Sequence, residues 1–352
     1  MKGRAVLCGQ IAGRGAAALM VDGRLEDILF DPADAATAPG AIHAALAERP
    51  LKGQGGAILR LGGGARGFLR QGAGLRPGTR LLVQVATHAE PGKAVPVSDR
   101  LLFKGALAIL TPGAPGVNLA RSVRDADRRA ALTELGSTAM AGAPPGWGLI
   151  LRSAAENAAD GALRAEIAAL RAEAEALLAV ASAEPACLRP ASDAATGARI
   201  DWAAPPPGIF SHEPASFAAA GVAETLAELT APCTPLAGNA SLCVEATRAL
   251  VACDVNTGPD TSPAAGLKAN LAAITELPRQ LRLRGLGGQI VVDPAPMPKK
   301  DRRTLEQALA RALRSDPVET AFAGWTPLGH MELTRKRARE PLASVLAEVP
   351  AR

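Results

Sequence analysis

The clearest pattern of apolar and polar positions lies in ALRAEIAALRAEAEALLAVAS (162–182). Leu163, Ile167, Leu170, Leu177 and Leu178 fall near one face of a 3.6-residue period among strong helix formers, which predicts the best-defined helix of the chain. ASFAAAGVAETLAEL (215–229) predicts another helix. Elsewhere the runs have strand length: GGAILRL (55–61), TRLLVQV (79–85) and WGLILRS (147–153). Residues 4–35 predict short strands with a turn at VDGR (21–24), because Asp-Gly favours a hairpin. Residues 37–98 predict a small β module, and 99–153 mix a helical patch with a strand. Residues 183–210, rich in Pro and Ala, predict a linker or a reduced subdomain.

The last third has a firmer rhythm. LCVEATRALVACDV (242–255) predicts a hairpin turning near Ala246-Thr247, followed by a helix over roughly 264–284. Gly285-Leu-Gly-Gly288 leads into strand QIVVD (289–293), and helix KDRRTLEQALARALRSD (300–316) follows. Strand, helix, strand, helix argues an α/β layer. Two apolar strands in it stop on carboxylates, Asp254 (with Asn256 two positions on) and Asp293. Joined by a helical crossover, they are expected as neighbours in one sheet, where ligand sites lie beyond strand C-termini. Either each aspartate caps the turn or helix that follows, or the two share a proton or a cation that offsets their repulsion. Mg²⁺ suits the second case, since it keeps several waters and needs only one or two protein carboxylates. Arg282 and Arg284 in QLRLRGLGG (280–288) either complement a helix C-terminus or clamp a phosphate. Arg335, Lys336, Arg337 and Arg339 in MELTRKRARE (331–340) form a solvated face or an anion site.

Other motifs are weaker. GGGARG (62–67) fits G-x-G-x-x-G, but strand and turn residues follow it, so no dinucleotide site is expected. The histidines are scattered and show no ligand spacing. Composition narrows the rest. At 352 residues the chain suits two or three domains, and with aromatics at 3% and no Tyr its core must be Leu, Val, Ile and Ala. Few rings remain on which bases could stack. The net charge of +5, mostly carried by arginine, makes an anionic partner reasonable. Cys8, Cys187, Cys233, Cys243 and Cys253 form no C-x-x-C pair and are expected as buried or free thiols of a reducing compartment. The start of the chain lacks a secretory pattern, and no uncharged run reaches the ~18 residues of a membrane span. A cytoplasmic protein is the expectation.

ALVACDVNTG, QLRLRGLGGQIVVD, LEQAL, LGHMELTRKRARE and VL, in this order, resemble the ribonuclease E/G family of bacterial endoribonucleases across residues 240–346. Upstream, GAILRLGGGARGFL resembles the family's RNA-binding OB-type barrel, and LLVQV, LAILTPG and GWGLILRSA its sensor segment. The resemblance implies an α+β multidomain fold. Its parts would be a reduced ribonuclease H-like first segment (1–36), an OB-type RNA-binding barrel (37–98), a 5′-phosphate sensor segment (99–185), a linker with the second ribonuclease H-like segment (186–235) and a catalytic α/β, DNase I-like domain (236–352). It implies a Mg²⁺-dependent endoribonuclease of RNA processing or decay that cleaves single-stranded RNA and favours 5′-monophosphorylated substrates. Asp254 and Asp293 match the family's metal-binding aspartates and Asn256 its assisting asparagine. Arg152 and Ser153 match its Arg-Thr pair for the 5′-phosphate, and Arg121 stands where a supporting arginine does. Phe68 and Lys93 match barrel residues that contact RNA, and Arg282, Arg284, Arg335 and Arg337 are expected RNA-binding cations. There are departures: Ile58 replaces a second barrel aromatic, Pro296 replaces an acid three residues past Asp293, and Pro278 is expected to interrupt the crossover helix. No Cys-Pro-x-Cys occurs, so a zinc-linked dimer is not expected. These departures motivate the alternative of an RNA-binding or assembly factor on the same fold with weak or no cleavage.

Overall fold

The computed structural model describes residues 2–51, 55–72, 74–181, 184–262 and 264–347. The chain forms two compact units, one of Met1–Lys2, Leu7–Ile28 and Ser211–Arg352, the other of Gly3–Val6 and Leu29–Phe210. It is a mixed α+β protein with four sheets among the described residues. None of the described helices is long and apolar enough to cross a membrane.

Strands β1 (Arg4–Ile11), β2 (Arg14–Val21) and β3 (Arg24–Phe30) are joined by tight turns. Ala12-Gly13 and the expected Asp22-Gly23 both have positive φ at their two central residues, the primed geometry that follows the twist of paired strands.

The β module over 37–98 is a barrel. β4 (Ile42–Leu51), β5 (Gly56–Arg60), β6 (Arg66–Leu69), β7 (Arg80–Val85) and β8 (Val95–Ser98) run in the order β4-β5-β6-β8-β7. A β4–β7 pairing closes the ring and removes the free edges. GGGARG makes a short 3₁₀ turn, Gly62–Gly64, and then strand β6, so no helix is present to support a dinucleotide site. A Cβ on Gly62 would lie 2.4 Å from the backbone nitrogen of Cys187, so the glycine serves close packing of two backbones.

The next sheet has β9 (Phe103–Lys104), β10 (Ala108–Pro112), β11 (Gly116–Leu119) and β12 (Trp147–Leu151) in the order β11-β12-β10-β9. Helices α1 (Ala126–Ala139) and α2 (Asp160–Ala179) pack on it. Leu163, Ile167 and Leu170 of the expected stripe join Leu110, Leu149 and Leu151 in one core, each such side chain contributing about 1.5–3 kcal/mol. The expected helix end at Ser182 lies outside the described residues.

Residues 184–210 carry regular elements. β13 (Ala186–Arg189) pairs with β4, α3 (Ala194–Asp201) is capped by the Asp193 carboxylate, and β14 (Ile209–Ser211) borders β1. The single helix expected over 215–229 is two, α4 (Pro214–Ala219) and α5 (Val222–Glu228), divided at Gly221 with φ 66°.

The final sheet contains β15 (Cys233–Pro235), β16 (Ser241–Ala246), β17 (Val251–Asn256), β18 (Gly288–Asp293), β19 (Thr320–Trp325) and β20 (Met331–Arg335) in the order β15-β16-β17-β18-β20-β19. The expected hairpin is β16–β17, and the expected crossover is α6 (Ala265–Leu283), which makes β17 and β18 parallel neighbours. α7 (Arg302–Ser315) follows β18, and α8 (Leu342–Ala347) follows β20. Leu277 and Leu281 of α6 and Leu305 and Leu309 of α7 share a core with Val251, Cys253, Val255, Ile290 and Val292. α6 is not interrupted at Pro278; the helix runs through it and buries it. The missing proline N–H forfeits one helical bond, while packing on both sides keeps the helix continuous.

Cysteine pairing also departs from expectation. Cys233 and Cys243 form a disulfide, while Cys8, Cys187 and Cys253 are free. The two half-cystines sit directly opposite each other on antiparallel β15 and β16, a proximity that no spacing rule exposes.

Candidate functional site

Strict alternation along β17 explains why an apolar strand ends on polar residues. Val251, Cys253 and Val255 are buried, whereas Asp254 and Asn256 are exposed on the other face. β18 does the same, with Ile290 and Val292 buried and Asp293 exposed. The carboxylates therefore avoid the desolvation of a core position. Asp254 and Asp293 are in direct register across the parallel pair. Asn256 donates from Nδ2 to Asp254 Oδ2 at 2.7 Å, which fixes one carboxylate oxygen.

The row extends to both sides. Asp254 is opposite Cys243, and Cys243 is opposite Cys233. On the other side Val292 is opposite Met331, and His330, one residue before it, brings Nε2 to 3.6 Å from Asp293 Oδ1. His330 was not singled out from sequence; it directly precedes buried Met331, the first residue of β20. On the opposite face of β17, burial pushes the Cys253 thiol up to about 12, against the downward pull of the Arg284 guanidinium.

The turn after β18 is fixed by α6. Buried Asn270 donates from Nδ2 to the Ala295 carbonyl and accepts from the Ala295 N–H through Oδ1, at 2.9 and 2.8 Å. A Cβ on Gly266 would lie 2.0 Å from the Pro296 carbonyl, so the helix must pass this turn on a glycine. Among the described residues no group of three or more His, Cys, Asp or Glu is arranged to hold a metal ion. Two exposed carboxylates in register instead fit a hard cation that keeps most of its waters, which is how Mg²⁺ binds.

Several arginines expected to meet RNA are engaged within the fold. Arg284 donates to the carbonyls of Leu229, Ala231 and Pro232 and to Gln280, and is buried. Arg335 is buried on Asp316 Oδ2 at 2.6 Å and on Thr320. Burial lowers both guanidinium pKa values, and Asp316 opposes this at Arg335. Arg282 donates to Asp316 and to the Glu26 carbonyl. Arg337 is half-buried, and a Cβ on Gly288 would meet its guanidinium at 2.3 Å. Gly285, at φ +65°, would meet the Glu340 carbonyl at 1.9 Å. The Arg-Leu-Arg-x-Leu-Gly-Gly block is thus a place where helix end, loop and return strand close on one another.

In the other unit, Arg121 and Arg152 follow the ends of parallel β11 and β12, where Leu119 pairs with Leu151. Arg121 is exposed; Arg152 donates from Nη1 to the carbonyls of Gly105 and Ile200, both at 2.6 Å. Ser153 opens a 3₁₀ turn directly after it. On the barrel, half-buried Phe68 is opposite Ile58, and Lys93 pairs with Glu90. A cavity of about 660 Å³ lies beside them, lined by Arg49, Arg66, Lys93, Glu48 and Ile58.

Residues 208–338 match the model of the ribonuclease E/G family. Ribonuclease E of Synechocystis sp. is 28% identical over 313 residues, covering 78% of this chain and 46% of the relative. Ribonuclease G of Salmonella typhimurium is 40% identical over 114 residues, 30% of this chain and 22% of the relative. A chloroplastic ribonuclease E/G-like protein of Arabidopsis thaliana is 35% identical over 121 residues, 32% of this chain and 12% of the relative. The chain spans less than half the length of these relatives.

Proposed function

We propose that this chain, whose residues 208–338 match the ribonuclease E/G family, is a member of it and a Mg²⁺-dependent endoribonuclease acting on single-stranded RNA. The observation that carries this reading is the direct register of exposed Asp254 and Asp293 across the parallel pair β17–β18. Mg²⁺ held there would stabilise charge on the scissile phosphate and lower the pKa of a bound water. Asp254 and Asp293 supply the two carboxylate ligands. Asn256, by holding Asp254 Oδ2, leaves the other oxygen free to ligate. Asn270 positions the turn that follows Asp293.

The remaining assignments belong to the same proposal. Arg121, Arg152 and Ser153 bind the 5′-monophosphate end, with Arg152 oriented by the Gly105 and Ile200 carbonyls. Phe68 and Lys93 contact RNA on the barrel. Arg337 and Arg282 stay near the RNA path, while Arg284 and Arg335 act by building the fold. The domain layout is a ribonuclease H-like part in two segments (1–36 and 186–235), a barrel (37–98), a sensor (99–185) and a DNase I-like catalytic domain (236–352). The setting is RNA processing or decay in the cytoplasm; residues 348–352 lie outside those described.

The test is cleavage of a short single-stranded RNA bearing a 5′-monophosphate or 5′-triphosphate, with a DNA control, with and without Mg²⁺. Asp254→Asn and Asp293→Asn should each lower the rate by at least about 100-fold, near 2.7 kcal/mol of barrier. Unchanged rates would sink the site. A second reading, an RNA-binding or assembly factor with little cleavage, is favoured by Ile58 facing Phe68 where a second stacking ring would sit. It predicts salt-sensitive RNA binding without turnover in the same assay.

A further inference from the structure

We propose that His330 is a positioning residue of the carboxylate pair: its Nε2–H holds Asp293 Oδ1 from the β20 side, as the Asn256 amide holds Asp254 Oδ2, so that each aspartate presents its other oxygen to a hard divalent cation. The inference deepens the proposed nuclease site and rests on that reading. His330 Nε2 lies 3.6 Å from Asp293 Oδ1. Among the described residues it is the one polar side chain brought to Asp293. Asn256 Nδ2 lies 2.7 Å from Asp254 Oδ2. The two carboxylates in register thus each meet one nitrogen donor, and the two donors come from different elements.

The backbone around His330 is built for this placement. Its N–H donates to Thr326 Oγ1 at 3.1 Å, and its carbonyl accepts the Thr326 N–H at 2.9 Å. Gly329, at φ +99°, donates its N–H to the Thr326 carbonyl at 3.0 Å and closes the turn between β19 and β20. One residue on, Met331 is fully buried opposite Val292. The half-buried imidazole is therefore anchored on both sides beside the end of β18. A separation of 3.6 Å exceeds hydrogen-bond length, and contacts of this kind at catalytic sites shorten as ligands bind. Donors to a ligating carboxylate fix which oxygen faces the ion, and losing one costs roughly 10–100-fold in metal affinity. A donor also suits this place better than a third ligand, because Mg²⁺ takes oxygen ligands and keeps several waters.

The experiment uses the full chain, first without RNA. Mn²⁺ is the probe, its free fraction read by electron paramagnetic resonance, and Mg²⁺ is added as competitor. His330→Leu fills similar space without an N–H and should weaken Mn²⁺ binding about ten-fold. His330→Gln keeps an N–H at similar reach and should stay within about three-fold of the wild type. Melting curves check that both variants fold. In the cleavage assay His330→Leu should raise the Mg²⁺ needed for half-maximal rate about ten-fold while the KM for RNA holds, because His330 acts through Asp293. A His330→Leu protein that binds Mn²⁺ as tightly as the wild type overturns the proposal, as does a His330→Gln protein as weak as His330→Leu. So does strong coupling of an imidazole nitrogen to Mn²⁺ bound by the wild type, the mark of a direct ligand; that measurement needs no variant. Asp293→Asn separates the two readings. If it binds Mn²⁺ like the wild type, the carboxylate site fails and the role of His330 with it. If it weakens binding and His330→Leu does not, the role of His330 fails alone.

Discussion

Replacing Asp316 with Asn tests whether the arginines around it hold the fold together. The Asp316 side chain is 0% exposed and that of Arg335 is 1% exposed. The carboxylate takes Arg335 Nη1 at 2.6 Å, Arg282 Nη1 at 3.2 Å and the Val318 N–H at 3.1 Å. In Asp316→Asn the Arg335 charge keeps Thr320 Oγ1 at 2.7 Å, and Arg282 keeps more distant contacts with Glu26 and Asp27 at 3.7 and 3.9 Å. Removing one partner of a buried ion pair costs about 3–5 kcal/mol. Asn retains an acceptor, so about 3 kcal/mol is expected, roughly a hundredfold in the unfolding equilibrium. The assay is urea unfolding followed by Trp325 fluorescence, with Trp147 and Trp202 replaced by Phe so that one unit is reported. With m of about 1–3 kcal/mol/M, the midpoint should fall by about 1–3 M. The loss should persist in high salt, because burial limits screening. An Asp316→Leu/Arg335→Met double variant should recover much of it, since apolar replacement removes both charges together. A cost below about 1 kcal/mol, the value of an exposed pair, would refute the reasoning.

Three further outcomes are expected. Gly285→Ala must place a Cβ at positive φ and 1.9 Å from the Glu340 carbonyl, so it should cost more than about 2 kcal/mol and lower Tm visibly; an unchanged Tm would contradict the close approach. Asn270→Ala strands the buried N–H and carbonyl of Ala295, so a loss of about 2 kcal/mol or more is expected in urea, together with weaker Mg²⁺ binding by calorimetry. Burial raises the Glu276 pKa, but hydrogen bonds from Gln280, Arg24 and Arg279 outweigh it and the net shift is downward. Its stabilisation is therefore complete above the unfolded value of 4.5 and is lost as pH falls through the lower folded value. Glu276→Gln should flatten the acid limb of stability against pH; parallel curves for the two proteins would dispose of that assignment.

Strand, crossover and strand around Asp254 and Asp293 were legible in sequence because alternation, length and caps agree there. The direct register of the two aspartates is set by the pairing itself, since parallel neighbours can pair in more than one register. The burial of Arg284 in QLRLRGLGG was hidden because exposure is invisible in a charge run: it meets carbonyls from residues 229–232, more than fifty positions away. Likewise β15 is only three residues long and ends on Pro235, so local pattern gives no hint that Cys233 faces Cys243. Pro278 misled for the converse reason, since a strong local breaker yields to packing on both flanks of α6. His330 shows no ligand spacing, and only the antiparallel return of β20 carries it to Asp293.

The unit that holds the carboxylate row is assembled from Leu7–Ile28 and Ser211–Arg352. Arg279 and Arg282 reach the carbonyls of Leu25 and Glu26, Arg339 pairs with Asp27, and Arg14 pairs with Glu340. During synthesis the first hairpins therefore leave the ribosome without the residues that complete them. At about 5–20 residues per second, the intervening stretch keeps them waiting on the order of ten to forty seconds. Strands made well before their partners are thus among the last to find their place.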